Sequence, residues 1–355
     1  MRDICISSST IMTLLIIALP VVTIVAVWLV RRKQKIKNMI ILEGTEYVLI
    51  TGCDSGIGYT LARHLQKTGQ KGFQVIASCV WPDGEAATRL KALGVKILRL
   101  DFTDGDLKEF SAEVKATLGE SKLHAFINNA GVCIMGEFDW LTEEQLSCIF
   151  DVNLGAIPLH KYLMDRIITD QTRIINVTSV NGTLPYPGLA AYCATKYALE
   201  AFTDVLAMEL PKFGVHVIKF RLGDFSKVTS IMAGQKKHAD LMWNNFSAKQ
   251  RARYDYFHDY QRVIHHHTGR LSMIGFGDLL DCFDDALLSI RPRLVYTPGN
   301  TIYLAALRIL SWIPESWRNS LIGWVFEKGL KYYGVQVPPH EVANSNTYEY
   351  SYGYS

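Results

Sequence analysis

A strand, a glycine-rich turn and a helix follow one another within residues 47–66, and this order constrains the fold more than any other feature of the sequence. The apolar run Tyr-Val-Leu-Ile is typical of a buried strand, and it leads directly into Thr-Gly-Cys-Asp-Ser-Gly-Ile-Gly at 51–58. Gly52, Gly56 and Gly58 let the backbone approach a pyrophosphate at a helix N-terminus. The turn therefore predicts a dinucleotide site, although its G-x-x-x-G-x-G spacing departs from the commoner G-x-G-x-x-G.

Strand-like and helix-like segments alternate along the chain that follows. Apolar strand patterns at 73–79, 95–100 and 123–127 are separated by helical patterns. Strands that alternate with helices form βαβ units and a parallel sheet. We expect an α/β fold over residues 45–335: a single Rossmann-type, doubly wound parallel sheet with helices on both faces.

A second motif, Tyr192-x-x-x-Lys196, lies in a helical pattern that begins at Ala190. On a helix the two side chains share one face, one turn apart, and Ser179 ends a predicted strand thirteen residues before Tyr192. A free tyrosine has a pKa of about 10, and a nearby ammonium lowers that value. The three groups suit proton transfer coupled to hydride transfer. A lone Tyr-x-x-x-Lys is more often an exposed helix pair, so the surrounding motifs decide between the two interpretations.

Five ordered motifs resemble the short-chain dehydrogenase/reductase family over roughly residues 45–225. They are the glycine turn at 51–58, Asn-Asn-Ala-Gly at 128–131, Asn153, Ser179, and Tyr192 with Lys196. More narrowly, Thr-Gly-Cys-Asp-Ser-Gly at 51–56, Asp-Trp-Leu at 139–141 and Arg-Pro-Arg-Leu-Val-Tyr-Thr-Pro-Gly at 291–299 resemble one membrane-associated branch of that family. This branch contains retinol, 17β-hydroxysteroid and 3-hydroxybutyrate dehydrogenases.

The resemblance implies a role for each matching residue. Tyr192 would be the general acid/base and Lys196 would bind the nicotinamide ribose and tune Tyr192. Ser179 would orient the substrate oxygen, and Asn153 would support a water-linked proton relay, although a buried core amide is the alternative for Asn153. Asp101 matches the family's adenine-contacting acid. The implied cofactor-binding residues are Gly52, Asp54, Ser55, Gly56, Ile57, Gly58, Asp101, Asn129, Ala130, Gly131, Tyr192, Lys196 and Gly223.

The segment after the sixth predicted strand departs from the family pattern. The family has Pro-Gly there, followed by a threonine that binds the carboxamide, whereas this chain has Leu222-Gly223 and carries Lys227 at the threonine position. Ser226 and Thr229 are the candidates to replace that threonine. A binder that keeps the fold and cofactor but has lost turnover is therefore a competing class, and the intact set of catalytic candidates argues against it.

The charges that follow the second strand indicate the preferred cofactor. NADP needs a cation near the adenosine ribose for its 2′-phosphate. The turn at 78–83 offers none, and Asp54 and Asp83 would repel a phosphate. We therefore expect NAD(H) to be preferred over NADP(H).

Residues 11–30 contain no charge, and as a helix they would extend about 30 Å, the thickness of the hydrocarbon core of a bilayer. We interpret them as a transmembrane anchor after a short segment at 1–10. A cleaved signal peptide is the alternative. The flank at 31–37 carries five cations within the basic linker 31–44, which places the catalytic domain in the cytoplasm, on an endoplasmic reticulum or other intracellular membrane.

The late part of the chain suggests a substrate site. The segment at about 227–275 is long and aromatic, as lids often are. Apolar helical patterns at 302–312 and 317–325 would pack in the core, wall a site for a lipophilic substrate, or contact the bilayer. Residues 336–355 are expected to be disordered. The triplet His265–His267 is expected to be solvated, and no metal site is expected.

Composition excludes other classes. The net charge of +3 is low for a nucleic-acid partner, and seven cysteines without C-x-x-C spacing indicate free thiols. The expected function is an NAD(H)-dependent oxidoreductase that interconverts an alcohol and its carbonyl on a lipophilic small molecule. The substrate would be a retinoid or steroid, or an ecdysteroid precursor if the source is an arthropod. A 3-hydroxy acid dehydrogenase is the alternative, because Lys227 would suit a carboxylate. A homo-oligomer remains open.

Overall fold

The computed structural model describes residues 39–40, 42, 45–67, 72–267, 269, 272–273 and 275–336. Its strands are β1 (Glu46–Ile50), β2 (Phe73–Cys79), β3 (Lys96–Arg99), β4 (Leu123–Asn128), β5 (Arg173–Ser179), β6 (Val217–Leu222) and β7 (Val295–Tyr296). They form one sheet in the order β3-β2-β1-β4-β5-β6-β7, and every pairing is parallel. The predicted parallel α/β sheet is confirmed. The strand order reverses between β1 and β4, where open α/β folds bind their ligands.

Helices connect the strands and continue beyond the last one. They are α1 (Gly56–Lys67), α2 (Glu85–Lys91), α3 (Leu107–Leu118), α4 (Glu143–Leu154), α5 (Ala156–Thr169), α6 (Ala190–Glu209), α7 (Gln235–Asn245), α8 (Ala248–Arg253), α9 (Phe257–His267), α10 (Gly277–Leu288), α11 (Thr301–Leu310) and α12 (Glu315–Tyr332). Both C-terminal helices lie where the apolar patterns predicted them. The capping box at the start of α4 is also present, because Thr142 Oγ1 accepts from Gln145 N and Thr142 N donates to Gln145 Oε1.

The sheet separates two apolar layers, since successive residues of a strand point to opposite faces. Val48 and Ile50 pack with α1, α2 and α10 on one face. Leu49, between them in sequence, packs with α3 and α5 on the other. The rings of Phe220 and Phe283 stack at 4.0 Å and extend the first layer to the β6 edge. Helices on both faces are the doubly wound arrangement expected from the sequence.

A third apolar cluster lies beyond the sheet and surrounds the buried indole of Trp140. The rings of Phe257 and Tyr260, both on α9, meet this indole at 4.9 and 4.8 Å. The predicted lid at about 227–275 therefore includes three helices, of which α9 packs on the chain that follows β4. Its function as a lid stays a prediction.

The predicted anchor at 11–30, most of the linker at 31–44 and nearly all of the tail at 336–355 lie outside the described residues. No helix within the described part of the chain is long and apolar enough to cross a membrane.

Candidate active site

The glycine turn after β1 is closely packed against the chain that follows β4. A Cβ on Gly58 would lie 2.3 Å from the Gly52 oxygen and 2.6 Å from Asn129 Nδ2, so only glycine fits there. A Cβ on Gly52 would lie 2.8 Å from the Cα of Ala130, and the φ of Gly52 is +71°. The turn thus keeps its backbone open at the N-terminus of α1, which fits a pyrophosphate.

Thr51 joins the two turns and was not among the predicted site residues. Its Oγ1 accepts hydrogen bonds from the backbone N–H groups of Asn129 and Ala130, both at 3.0 Å. Asn129 Nδ2 donates in return to the Thr51 oxygen at 2.8 Å. The sequence shows a threonine directly after the first strand, and this residue is fully buried in the structure. Its hydrogen-bond partners lie 78 and 79 residues away in the chain, so the sequence did not reveal them.

The two predicted acidic residues of the cofactor site bind nearby backbone. Asp54 accepts from Val80 N at 2.9 Å and Trp81 N at 3.0 Å, so its carboxylate shapes the loop after β2. Asp101 accepts from the backbone and hydroxyl of Thr103 at 2.9 and 2.7 Å. Both carboxylates stay at the carboxyl edge of the sheet, where the adenosine half of a dinucleotide is expected.

The structure brings the three proposed catalytic side chains together in a buried site. Ser179 is the last residue of β5, and Tyr192 and Lys196 lie in the first two turns of α6. The Ser179 hydroxyl accepts from Asn181 N at 3.1 Å and is close enough to Tyr192 to influence its ionisation. Lys196 Nζ donates to the Val177 oxygen at 3.1 Å and lies 5.7 Å from the centre of the Tyr192 ring. All three side chains are less than 8% exposed.

Burial controls the ionisation of this group. It raises the pKa of Tyr192 well above its usual value, and the Ser179 hydroxyl only partly opposes this rise. The expected lowering of the Tyr192 pKa by the Lys196 ammonium, which lies 5.7 Å from the ring centre, stays a prediction. Burial also lowers the pKa of Lys196 to about 8. Tyr192 is therefore a hydroxyl at neutral pH.

Asn153 is fully hydrogen bonded and links three parts of the site. Its Oδ1 accepts from Val132 N at 2.7 Å, and its Nδ2 donates to the Val132 oxygen and to Thr195 Oγ1, both at 3.0 Å. A Cβ on Gly131 would lie 3.3 Å from Asn153 Oδ1 and 3.6 Å from Lys196 Nζ. Asn153 is thus a satisfied buried amide that holds α4 against the β4 turn and α6, and its part in a proton relay stays a prediction.

A buried ionic cluster lies one helical turn after Lys196. It was not predicted from the sequence. Glu200 accepts from Thr178 Oγ1 at 2.6 Å and from Arg221 Nη2 at 2.6 Å, and its carboxylate lies 3.0 Å from Lys219 Nζ. Thr178 immediately precedes Ser179, so this carboxylate connects the end of β5, β6 and α6. The sequence shows the charged residues of β6 and a glutamate four residues after Lys196. It does not show that these residues pair with each other.

The loop after β6 contains the departure from the family pattern. Gly223 N donates to the Pro298 oxygen at 3.1 Å, which places the loop against the segment at 291–299. Of the two candidates for the missing threonine, Ser226 donates to the Asp224 carboxylate at 2.6 Å. Thr229 lies at the glycine turn, with its Cβ 3.4 Å from where a Cβ on Gly56 would be. Lys227 is exposed.

An apolar cavity of about 460 Å³ lies next to the segment that directly follows Ser179 in the chain. Val180, Asn181 and Tyr186 line its near side, and α9, α11 and α12 supply the rest of its wall. No lining residue in the described part of the chain is charged. Ligand cavities of this size and apolar character suit small organic molecules. Across the described residues, no three His, Cys, Asp or Glu side chains converge as metal ligands.

This parallel sheet, with its glycine turn at the strand-order reversal and its buried Ser-Tyr-Lys group, defines a nicotinamide-nucleotide oxidoreductase. A family model described as short chain dehydrogenase matches residues 46–239, and the chain belongs to that family.

Curated relatives match most of the chain. Retinol dehydrogenase 5 of Homo sapiens is 32% identical over 314 residues, covering 85% of this chain and 93% of the relative. Dehydrogenase/reductase SDR family member 9 of Bos taurus is 32% identical, and the match covers 77% of this chain and 84% of the relative. The solved structure of a short-chain dehydrogenase/reductase from Burkholderia phymatum in complex with NAD is 22% identical, with a TM-score of 0.59. The match covers 75% of this chain and 92% of the solved chain. The solved structure supports the fold.

Proposed function

We propose that this chain is an NAD(H)-dependent oxidoreductase that interconverts an alcohol and its carbonyl on a lipophilic substrate of the retinoid or steroid class. The observation that carries this proposal is the uncharged cavity, whose lining includes Val180, the residue that follows Ser179. A long apolar molecule could place a terminal oxygen at Ser179 and Tyr192 and bury its hydrocarbon part against α11 and α12. The relatives named as retinol dehydrogenases support the same substrate class.

The side chains of the site account for the proton that accompanies the redox step. When bound, the nicotinamide supplies the hydride donor or acceptor. In carbonyl reduction Tyr192 donates its hydroxyl proton to the substrate oxygen, and in alcohol oxidation it takes that proton. Ser179 donates a hydrogen bond that holds the substrate oxygen, and the Lys196 ammonium stabilises the tyrosinate after proton release. The protonated state of buried Tyr192 suits the reductive direction without prior proton transfer.

The preference for NAD(H) is argued from the loop after β2. The Asp54 carboxylate is held at this loop by Val80 and Trp81, and it would repel a 2′-phosphate. Lys91 reaches the same loop, but its Nζ lies 3.3 Å from Asp83, which offsets its charge. The charge of Lys91 is therefore already paired.

We also propose that residues 11–30 anchor the chain in an endoplasmic reticulum or other intracellular membrane, with the catalytic domain in the cytoplasm. The support is the uncharged span and the five cations that follow it. Carbonate extraction should leave the chain in the membrane pellet, and protease added to sealed microsomes should digest the catalytic domain. Complete protection from protease would reverse the orientation.

Turnover by full-length protein in microsomes tests the substrate class. The panel should contain all-trans-retinol, a hydroxysteroid and 3-hydroxybutyrate, with NADH absorbance as the readout and the Tyr192→Phe variant as the background. Turnover of retinol or the steroid supports the proposal. Turnover of 3-hydroxybutyrate alone would assign the hydroxy-acid alternative, and NADH binding without turnover of any alcohol would assign a non-catalytic binder.

A further inference from the structure

The two C-terminal helices have an unusual burial pattern. No residue of α11 is buried, and in α12 only Leu330 is. Yet the pair is rich in large apolar side chains, and nine of them between residues 302 and 333 are at least 40% exposed. Exposed apolar surface concentrated in one place marks an interaction site on a soluble domain.

Each helix uses one side for the cavity and leaves the other side uncovered. Leu307 of α11 and Ile322 and Phe326 of α12 line the cavity. The outer apolar face, as we define it, consists of side chains that do not line the cavity: Ile302 and Ile309 of α11, Trp312 in the turn between the helices, and Trp317 and Trp324 of α12. Apart from Arg308 the helix α11 has no charged residue, and a helix that is apolar on nearly all sides is normally buried. Within the described part of the chain nothing buries this outer apolar face.

The composition of the face indicates what covers it. Indole rings prefer the boundary between headgroups and acyl chains of a bilayer. Trp312 and Trp317 are 75% and 73% exposed, and the Lys328 ammonium lies 6.0 Å from the Trp324 ring. The segment carries four cations against two carboxylates, which favours an anionic lipid surface: Arg308, Arg318, Lys328 and Lys331 against Glu315 and Glu327. Long cationic side chains can keep their charged ends among headgroups while their stems lie along apolar surface.

We infer that the outer apolar face is an interfacial membrane contact, lying in the headgroup–acyl boundary and separate from the anchor at 11–30. The inner sides of the same helices wall the cavity, so a lipophilic molecule could pass between bilayer and cavity without crossing water. The contact needs no turnover, so it can form whether or not the chain catalyses the proposed reaction.

Quenching of tryptophan emission by lipids brominated on their acyl chains tests the contact. The full chain is reconstituted into phosphatidylcholine–phosphatidylserine vesicles with and without bromine. Replacing Trp312, Trp317 and Trp324 together by Phe removes the reporters but keeps the face apolar, so we expect more than half of the bromine-dependent quenching to disappear. Trp81→Phe is the matched control, because Trp81 is 70% exposed on the loop after β2 and should contribute nothing.

Trp28 lies within the predicted anchor and is present in every variant, so it contributes the same background quenching to each measurement. NADH binding by the triple variant shows that it is folded. Equal bromine-dependent quenching in the triple variant, the Trp81 variant and the unchanged chain would overturn the inference. A crosslinked dimer that Ile309→Glu abolishes, with no lipid quenching of the three indoles, would assign the face to a second copy of the chain and also overturn it.

Discussion

The carboxylate of Glu200 accepts two hydrogen bonds from the guanidinium of Arg221, at 3.0 Å from Nε and 2.6 Å from Nη2. Glu200 lies one turn after Lys196 on α6, and Arg221 lies one residue before the end of β6. The pair therefore holds the proposed catalytic helix against the strand that leads into the cofactor loop. Charge-assisted, two-pronged pairs of this kind fix geometry as well as contributing energy.

Glu200→Gln should destabilise the fold and shift its pH dependence. Breaking one partner of a buried pair costs about 3–5 kcal/mol. Burial alone would raise the pKa of Glu200, but hydrogen bonds from Arg221 and Thr178 outweigh it and the net pKa is lowered. A carboxyl with a lowered folded pKa stabilises the fold above the unfolded value of about 4.3 and ceases to do so as pH falls through the folded pKa. Urea unfolding should show the largest difference from the unchanged protein near pH 7, narrowing below about pH 4.

The same variant should change the pH profile of kcat/KM. Burial lowers the pKa of Lys196 to about 8, and the charge of Glu200 opposes this. Without that charge, Lys196 loses its proton at a lower pH. As the pH is raised, the activity of the variant should therefore begin to fall at a lower pH than the activity of the unchanged protein does. Asp204→Asn is the control, since Asp204 shares the Lys219 partner at 2.6 Å but is mostly exposed. An unchanged profile in Glu200→Gln would show that Glu200 has only a structural role.

Tyr192→Phe removes the transferable proton while keeping the ring and the backbone of α6. We expect the rate to fall by about a hundredfold or more, in line with general acid–base contributions. NADH affinity, measured by fluorescence titration, should change little. Full activity in this variant would rule out Tyr192 as the proton donor.

Gly58→Ala should abolish NADH binding, because its Cβ would lie 2.3 Å from the Gly52 oxygen and force the turn open. Gly277→Ala is the matched control, since a Cβ there meets no atom within 4 Å. Titration of both variants with NADH separates the two cases, and thermal unfolding reports whether Gly58→Ala remains folded. Tight NADH binding by folded Gly58→Ala would place the dinucleotide elsewhere.

NADH should bind at least about tenfold more tightly than NADPH, a difference of about 1.4 kcal/mol. The physical reason is the Asp54 carboxylate at the loop after β2, where the Lys91 ammonium is already paired with Asp83. Asp54→Asn should bring the affinities for NADH and NADPH closer together, because it removes the negative charge, provided the amide keeps the loop in place. Equal affinities of the unchanged protein for the two nucleotides would contradict the charge argument.

Local sequence patterns were sufficient for the sheet and for the positions of most site residues. Strand and helix periods depend on neighbours along the chain, so β2 begins and ends where its apolar run at 73–79 does. The glycine turn was predictable for the same reason. Glycine adopts the φ of +71° at Gly52 much more readily than other residues do, which is a property of the residue itself.

Tertiary structure decided the properties that depend on residues far apart in the chain. The Asn153 amide is satisfied by Val132 and Thr195, and the Glu200 carboxylate meets β6, so neither arrangement could be seen in a local pattern. The raised pKa of Tyr192 follows from burial, which is set by all the elements around it and could not be deduced from the Tyr–Lys spacing. The cavity and the outer apolar face likewise exist only because α11 and α12 pack with one side inward. Periodicity predicted these helices, but which side faces the cavity depends on how distant elements pack.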